Sequence, residues 1–123
     1  MRLRPQEPAS ERGAVTAELA MGIPLVLAVT VGLVWLLAAA SAQIRVVDAA
    51  RESARSLARG DSEEAARSVA SRIAPSGASV TVVLDGGRVT VTASADVDGP
   101  GGLFDFLRGV TVRSRAVAVL EDA

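Results

Sequence analysis

The chain has 123 residues, half of them hydrophobic, with 13 basic and 14 acidic side chains and a net charge of −1. Every basic residue is arginine, and histidine, cysteine, lysine and tyrosine are absent. That removes the common general base, the thiol nucleophile, the Schiff-base amine and any disulfide staple, so no enzyme is expected. Balanced charge and only three aromatic residues, Trp35, Phe104 and Phe106, provide neither the basic field nor the stacking surface that nucleic acid needs. Zinc and haem lack their usual ligands, and no cofactor is expected.

Residues 1–12, MRLRPQEPASER, hold two prolines, three arginines and two glutamates without apolar periodicity, and read as a short disordered segment ahead of the fold. The next stretch organises the chain. From Leu19 to Ala42 there are 24 residues without a charge, which at ~1.5 Å per residue make roughly 36 Å of helix. That crosses a hydrocarbon core of about 30 Å with some tilt. Glu18 is the last charge before this run and Arg45 the first after it. A carboxylate costs on the order of 2.5–3.5 kcal/mol at mid-bilayer on insertion scales and less near an interface, so Glu18 is a candidate functional residue. On the residues alone it fits equally a solvated helix start, favoured by the N-terminal dipole.

Arg12-Gly13 followed by Ala14-Val15-Thr16-Ala17-Glu18 puts a carboxylate five residues past a glycine and directly against the apolar run. This arrangement resembles the processing site of type IV prepilins. With Pro24 in the span, RGAVTAELAMGIPLVL is most similar to the TadE-type pseudopilins, or minor pilins, of tight-adherence (Flp) pilus systems. The resemblance covers about residues 12–60 well and the remainder more loosely. It implies that a prepilin peptidase cuts between Gly13 and Ala14, so that 1–13 is a leader peptide. It also implies that Glu18 pairs with the new amine of a neighbouring subunit, setting register, and that other pilins and pilus assembly components are partners. It implies a single-pass protein of the cytoplasmic (inner) membrane, N-terminus cytoplasmic and head outside, serving pilus biogenesis and adhesion. One departure stands out: Flp-type subunits favour an aromatic residue after the glutamate, where this chain has Leu19.

Inside the span, Pro24 removes a backbone donor and is expected to kink the helix, while Gly22 and Gly32 thin its surface for close approach of another helix. Trp35 fits an interfacial anchor. Ala40-Ser41-Ala42 has the small-residue pattern of a signal-peptidase site, and a cut there would release a soluble domain. The apolar run is, however, longer than the ~7–15 residues of a signal h-region.

From Gln43 to Arg59 the pattern becomes amphipathic, with Ile44, Val47, Ala50, Ala54, Leu57 and Ala58 on the expected buried face. One continuous helix is expected from about Ala14 to Arg59, ending at Gly60. Arg45, Asp48, Arg51, Glu52 and Arg55 read as a solvated face with helical ion pairs. Asp61-Ser62-Glu63-Glu64 opens a second helix, with Asp61 the expected cap of a capping box, and Pro75-Ser76-Gly77 closes it. Strands are expected at 78–84, 88–97 and 110–120, the first two joined by a tight turn at Asp85-Gly86-Gly87. The intervening Asp96-x-Asp98-Gly99 resembles the start of a calcium loop, but the later ligand positions are missing. Phe104 and Phe106 are expected either to plug the sheet edge or to contact a neighbouring subunit.

The expected fold is α+β: a transmembrane helix (14–42), its amphipathic extension (43–60), and a head (61–123) with a short helix and a small antiparallel three-stranded sheet. The sheet has one face to bury, under the amphipathic helix and the second helix. The expected function is pilus assembly; a membrane-tethered or secreted binding domain unrelated to pili is the alternative.

Overall fold

The structure, a computed structural model, describes residues 9–121; most of the expected leader lies outside them. Two helices, α1 (Ala9–Ala58) and α2 (Glu63–Ile73), are followed by strands β1 (Ser79–Asp85), β2 (Arg88–Val97) and β3 (Val110–Val119), with a 3-10 turn at Gly102–Phe104 before β3. By their contacts the residues fall into two units that meet in the middle of α1, one ending at Val34 and the other starting at Trp35. This boundary lies inside the segment expected to be transmembrane.

In the first unit α1 is bare. Leu19, Leu25, Leu27 and Leu33 are each about 60% exposed and Met21 79%. Pro24 sits inside α1 without interrupting it. Two hydroxyls on this stretch are satisfied within the helix, Thr16 Oγ1 donating to the Arg12 carbonyl (2.9 Å) and Thr30 Oγ1 to that of Val26 (2.8 Å). That local bonding lets a polar side chain sit in an apolar medium.

In the second unit the three strands form an antiparallel meander, β1-β2-β3. Asp85 pairs with Arg88, leaving Gly86 and Gly87 as a two-residue loop with φ of 55° and 77°. Two successive positive φ angles define the turn whose twist matches a hairpin, and only glycine adopts them without strain. Alternation then sorts the central strand: Val89, Val91, Ala93 and Ala95 are buried on one face. Ala42, Val46, Ala49, Ala50, Ala54 and Leu57 of α1 and Ala66 and Ala70 of α2 join them in one core. Nine of the fourteen buried apolar residues of this core are alanine. A core so poor in volume requires the backbones of helix and sheet to approach closely, and a larger side chain there forces them apart.

The buried face of α1 is rotated from the expected one. Ile44 is 62% exposed and Val47 and Ala58 only half-buried, whereas Val46, Ala49, Ser53 and Ser56 are sealed. The serines decide this. Ser53 Oγ donates to the Ala66 carbonyl of α2 (3.1 Å) and Ser56 Oγ bonds the Asp61 carboxylate (2.6 Å), so both polar groups are buried with partners. Helix α1 ends as expected at Gly60, φ 94°: Gly60 N–H donates to Leu57 O and Asp61 N–H to Ser56 O, the paired bonds of a Schellman close. The cap of α2 falls one residue later than expected. Ser62, not Asp61, accepts from the Ala65 amide (3.1 Å), because the Asp61 carboxylate is already held by Ser56. Arg45, expected on a solvated face, reaches the far end of α2 and donates to the carbonyls of Ile73 and Ala74, both at 3.0 Å. It thereby satisfies carbonyls that the helix terminus leaves without partners.

Candidate functional site

The residues singled out by sequence lie on the bare part of α1. Gly13 is inside the helix, four residues from its described start, and a Cβ built there would meet nothing within 4 Å. Ala14 and Glu18 are exposed. Four residues apart, they share a face at about 100° per residue. Glu18 lies on a shallow groove along the helix with Val15, Leu19, Gly22, Ile23, Val26 and Leu27. The carboxylate is the one charge on this stretch, and a glycine lies one turn beyond it.

The same periodicity puts Gly22 about 40° to one side of Glu18 and Gly32 about 40° to the other, while Pro24 is turned about 120° away. Glu18, Gly22 and Gly32 therefore occupy one sector of the helix, and Pro24 does not share it. At both glycines a Cβ would meet no other atom of this chain within 4 Å, so any close approach they permit is to something outside the chain. The arrangement offers an apolar stripe with one anion, suited to pack beside another apolar helix or lipid and to take a single cationic partner.

Two contacts outside this stripe were not legible in the sequence. Trp35 Nε1 donates to the Asp98 carbonyl at 2.7 Å, and Gln43 Nε2 donates to that of Arg113 at 3.3 Å. Trp35, inside the segment expected to be transmembrane, thus bonds to the folded domain. The expected edge plug is also not formed by Phe106, which is 77% exposed, with its ring centroid 6.3 Å from that of Phe104. Asp96, which opens the calcium-like stretch, accepts from Thr111 across the β2–β3 pair at 2.7 Å.

Among the described residues one helix is long and apolar enough to cross a membrane, and with the small α+β domain that follows it this defines the class: a protein with an N-terminal apolar helix, consistent with a single-pass membrane anchor. Within that class residues 13–55 match the family of TadE-like proteins. Over that stretch, about a third of its length, the chain is TadE-like. It is also similar to the apoptosis inhibitor Rv3655c of Mycobacterium tuberculosis, 41% identical over 83 residues, which cover 68% of this chain and 60% of that protein. The alignment thus spans less than two thirds of the relative's length. No solved structure matches the chain significantly.

Proposed function

We propose that the chain is a minor pilin, or pseudopilin, of a tight-adherence type IV pilus, held in the cytoplasmic membrane by α1 with its domain outside. In this reading a prepilin peptidase cuts between Gly13 and Ala14, and the subunit keeps the helix. The observation that carries it is the bare apolar stripe bearing one carboxylate, Glu18, on the same groove as Gly22.

Once the helix leaves lipid for a packed assembly, the Glu18 carboxylate needs a cation to offset its desolvation. A freshly exposed Ala14 amine is the nearest chemistry that supplies one. On a neighbouring subunit it sets the register of the two helices. On the same chain, one turn upstream, it competes for the same carboxylate. The peptidase must first unwind the start of α1, since Gly13 is helical; the turn before an exposed glycine near a helix start is among the least costly parts to open. Gly22 and Gly32 let the partner helix approach. Release of the domain by a cut after Ala42 is disfavoured because Ala42 is a buried core residue, 8% exposed.

Mass spectrometry of the mature protein tests the cut. An N-terminus at Ala14 is expected; Gln43 would mean a secreted domain, and Met1 or its immediate successors an uncut anchor, and either overturns the processing step. A Glu18→Gln variant tests the register. Loss of assembled fibres with normal membrane levels of the subunit is expected, and normal fibres would sink the role given to Glu18.

A further inference from the structure

The sheet has two edges, and the domain treats them differently. On the β3 side Gln43 Nε2 donates to the Arg113 carbonyl, and just past the strand Glu121 N–H donates to Ala58 O, both at 3.3 Å, so α1 is tied to that edge at two places. Strand β1 forms the other edge. Asp85 and Arg88 close the two-residue hairpin as a bonded pair. Because antiparallel partners alternate, Ser79, Thr81 and Val83 then turn their backbone groups to β2, while Val80, Val82 and Leu84 turn theirs outward. Arg67 of α2 bears out that direction, its Nη1 donating to the Val80 carbonyl at 2.6 Å. Among the described residues nothing bonds the outward groups of Val82 and Leu84.

This edge also lacks the usual guards against pairing. Its sequence, SVTVVLD, holds no proline, lysine or arginine and has its single charge at the end, and its register with β2 runs without a bulge. Val83 and Leu84 are 54% and 56% exposed. The open stretch is short, since Arg67 occupies the edge at Val80 and the chain turns at Gly86. An added strand must therefore bring outward groups at two residues, two apart, and leave the edge opposite Val80. Strand β1 of a second copy meets both conditions. Aligned antiparallel about Val83, Val82 of each copy faces Leu84 of the other and exchanges both N–H···O bonds with it. Val83 faces Val83, and Thr81 faces Asp85, a hydroxyl opposite a carboxylate, with no like charges opposed. The copy turns away at its own Gly86 opposite Val80, which sets its Asp85 beside the position that Arg67 holds. Alignment about Val82 would instead demand the Val80 carbonyl, which Arg67 has already taken.

We infer that β1 pairs antiparallel about Val83 with β1 of a second copy of this chain, joining two three-stranded sheets into one across a two-fold axis. A contact of this length belongs to the weak, transient class of interface. It goes beyond the proposed function and uses neither Gly13 nor Glu18.

Because the chain has no cysteine, Val83→Cys in the full chain reports the pair directly. Facing residues of a non-hydrogen-bonded antiparallel pair have Cα atoms about 4.5 Å apart, within the span of a disulfide. Washed, broken cells expressing each variant are oxidised with copper phenanthroline, and disulfide dimer is read on a non-reducing gel. Val83→Cys is expected to give several-fold more dimer than Val117→Cys, which is as exposed but lies on β3. Thr81→Cys and Asp85→Cys are expected to give little dimer singly and a mixed dimer when co-expressed with different tags. Val82→Pro, added to Val83→Cys, removes an outward N–H and none of the sheet's own bonds, and is expected to bring the dimer down to the Val117→Cys level. The mixed dimer keeps the test independent of how that proline variant folds. Dimer from Val83→Cys no greater than from Val117→Cys overturns the proposal. So does equal dimer at every position, the pattern of copies held together by α1 alone, and so does dimer that survives Val82→Pro. A disulfide from Val83→Cys to a different protein, in place of dimer, overturns the assignment of the edge to a second copy.

Discussion

The two parts of α1 solve opposite problems with one backbone. Up to Val34 its surface is made of leucine, valine, isoleucine and methionine, and nearly all of it is exposed. From Ala42 to Leu57 the buried face is mostly alanine and serine, with Val46 and Leu57 beside them, and it is sealed against α2 and the sheet. The difference shows that hydrophobicity and burial are separate variables. Large apolar side chains without an internal partner call for an apolar medium from outside. Small ones allow backbones of the same chain to touch, so the part with less apolar volume has the tighter internal packing.

The strongest way to break this comparison is to cut between the parts of the domain. Residues 61–123 alone lose Ala42, Val46, Ala49, Ala50, Ala54 and Leu57, six of the fourteen buried apolar side chains of the core. They also lose the donors Arg45 and Ser53. They are expected to show no cooperative thermal transition by circular dichroism, while residues 35–123 melt cooperatively. Equal melting of the two fragments would show that α1 is not part of the domain core.

Next in size is a charge in the exposed part. Leu27→Arg is expected to cost about 2.5–3.5 kcal/mol of membrane insertion, seen as loss of the carbonate-resistant membrane fraction. The melting of the domain should not change, since Leu27 is exposed and lies in the other unit. A smaller effect is expected in the alanine core. Ala49 is fully buried, and Ala49→Leu forces extra volume between helix and sheet, destabilising the domain by roughly 1–3 kcal/mol. Ala28→Leu, one residue along from Leu27, should leave domain stability unchanged. If both alanines tolerated leucine equally, the tight packing described for the second part would be wrong.

How much of this was legible follows the same division. Elements with a single dominant signal were readable: the uncharged run, the Gly86-Gly87 turn, the alternation of β2 and the glycine close at Gly60. The buried face of α1 was not, because a hydrophobicity ranking favours Ile44 over Ser53 and Ser56. Only the position of α2 supplies the acceptors that make those serines core residues. Trp35 was not readable as a partner of Asp98, because a hydrogen bond across 63 positions leaves no local pattern. Arg45 was likewise read as solvated, since a guanidinium that closes a distant helix end looks no different in sequence from one in water. For the candidate site, the glycine-to-glutamate spacing was readable and its exposure on a groove with Gly22 was not, since periodicity gives a face and only packing shows that the face is left open.

The finest test compares two hydroxyls on the one helix. Ser53 Oγ bonds a carbonyl of another element, Ala66 of α2, and is fully buried. Thr30 Oγ1 bonds a carbonyl of its own helix, one turn back, and is exposed. Removing the first takes away a link between α1 and α2. The Ala66 carbonyl still has its helical partner in α2, so the loss is that of one net hydrogen bond, about 0.5–1.5 kcal/mol, and not of a stranded polar group. Ser53→Ala is therefore expected to lower the stability of residues 35–123 by that amount in urea unfolding, with little change in the slope of the transition. Thr30→Val removes only a local bond on the exposed stretch, and the domain of the full chain should unfold at the same urea concentration as before. A loss from Thr30→Val as large as that from Ser53→Ala would mean that the stretch before Trp35 contributes to the domain's stability, and the division of α1 at Val34 would have to be abandoned.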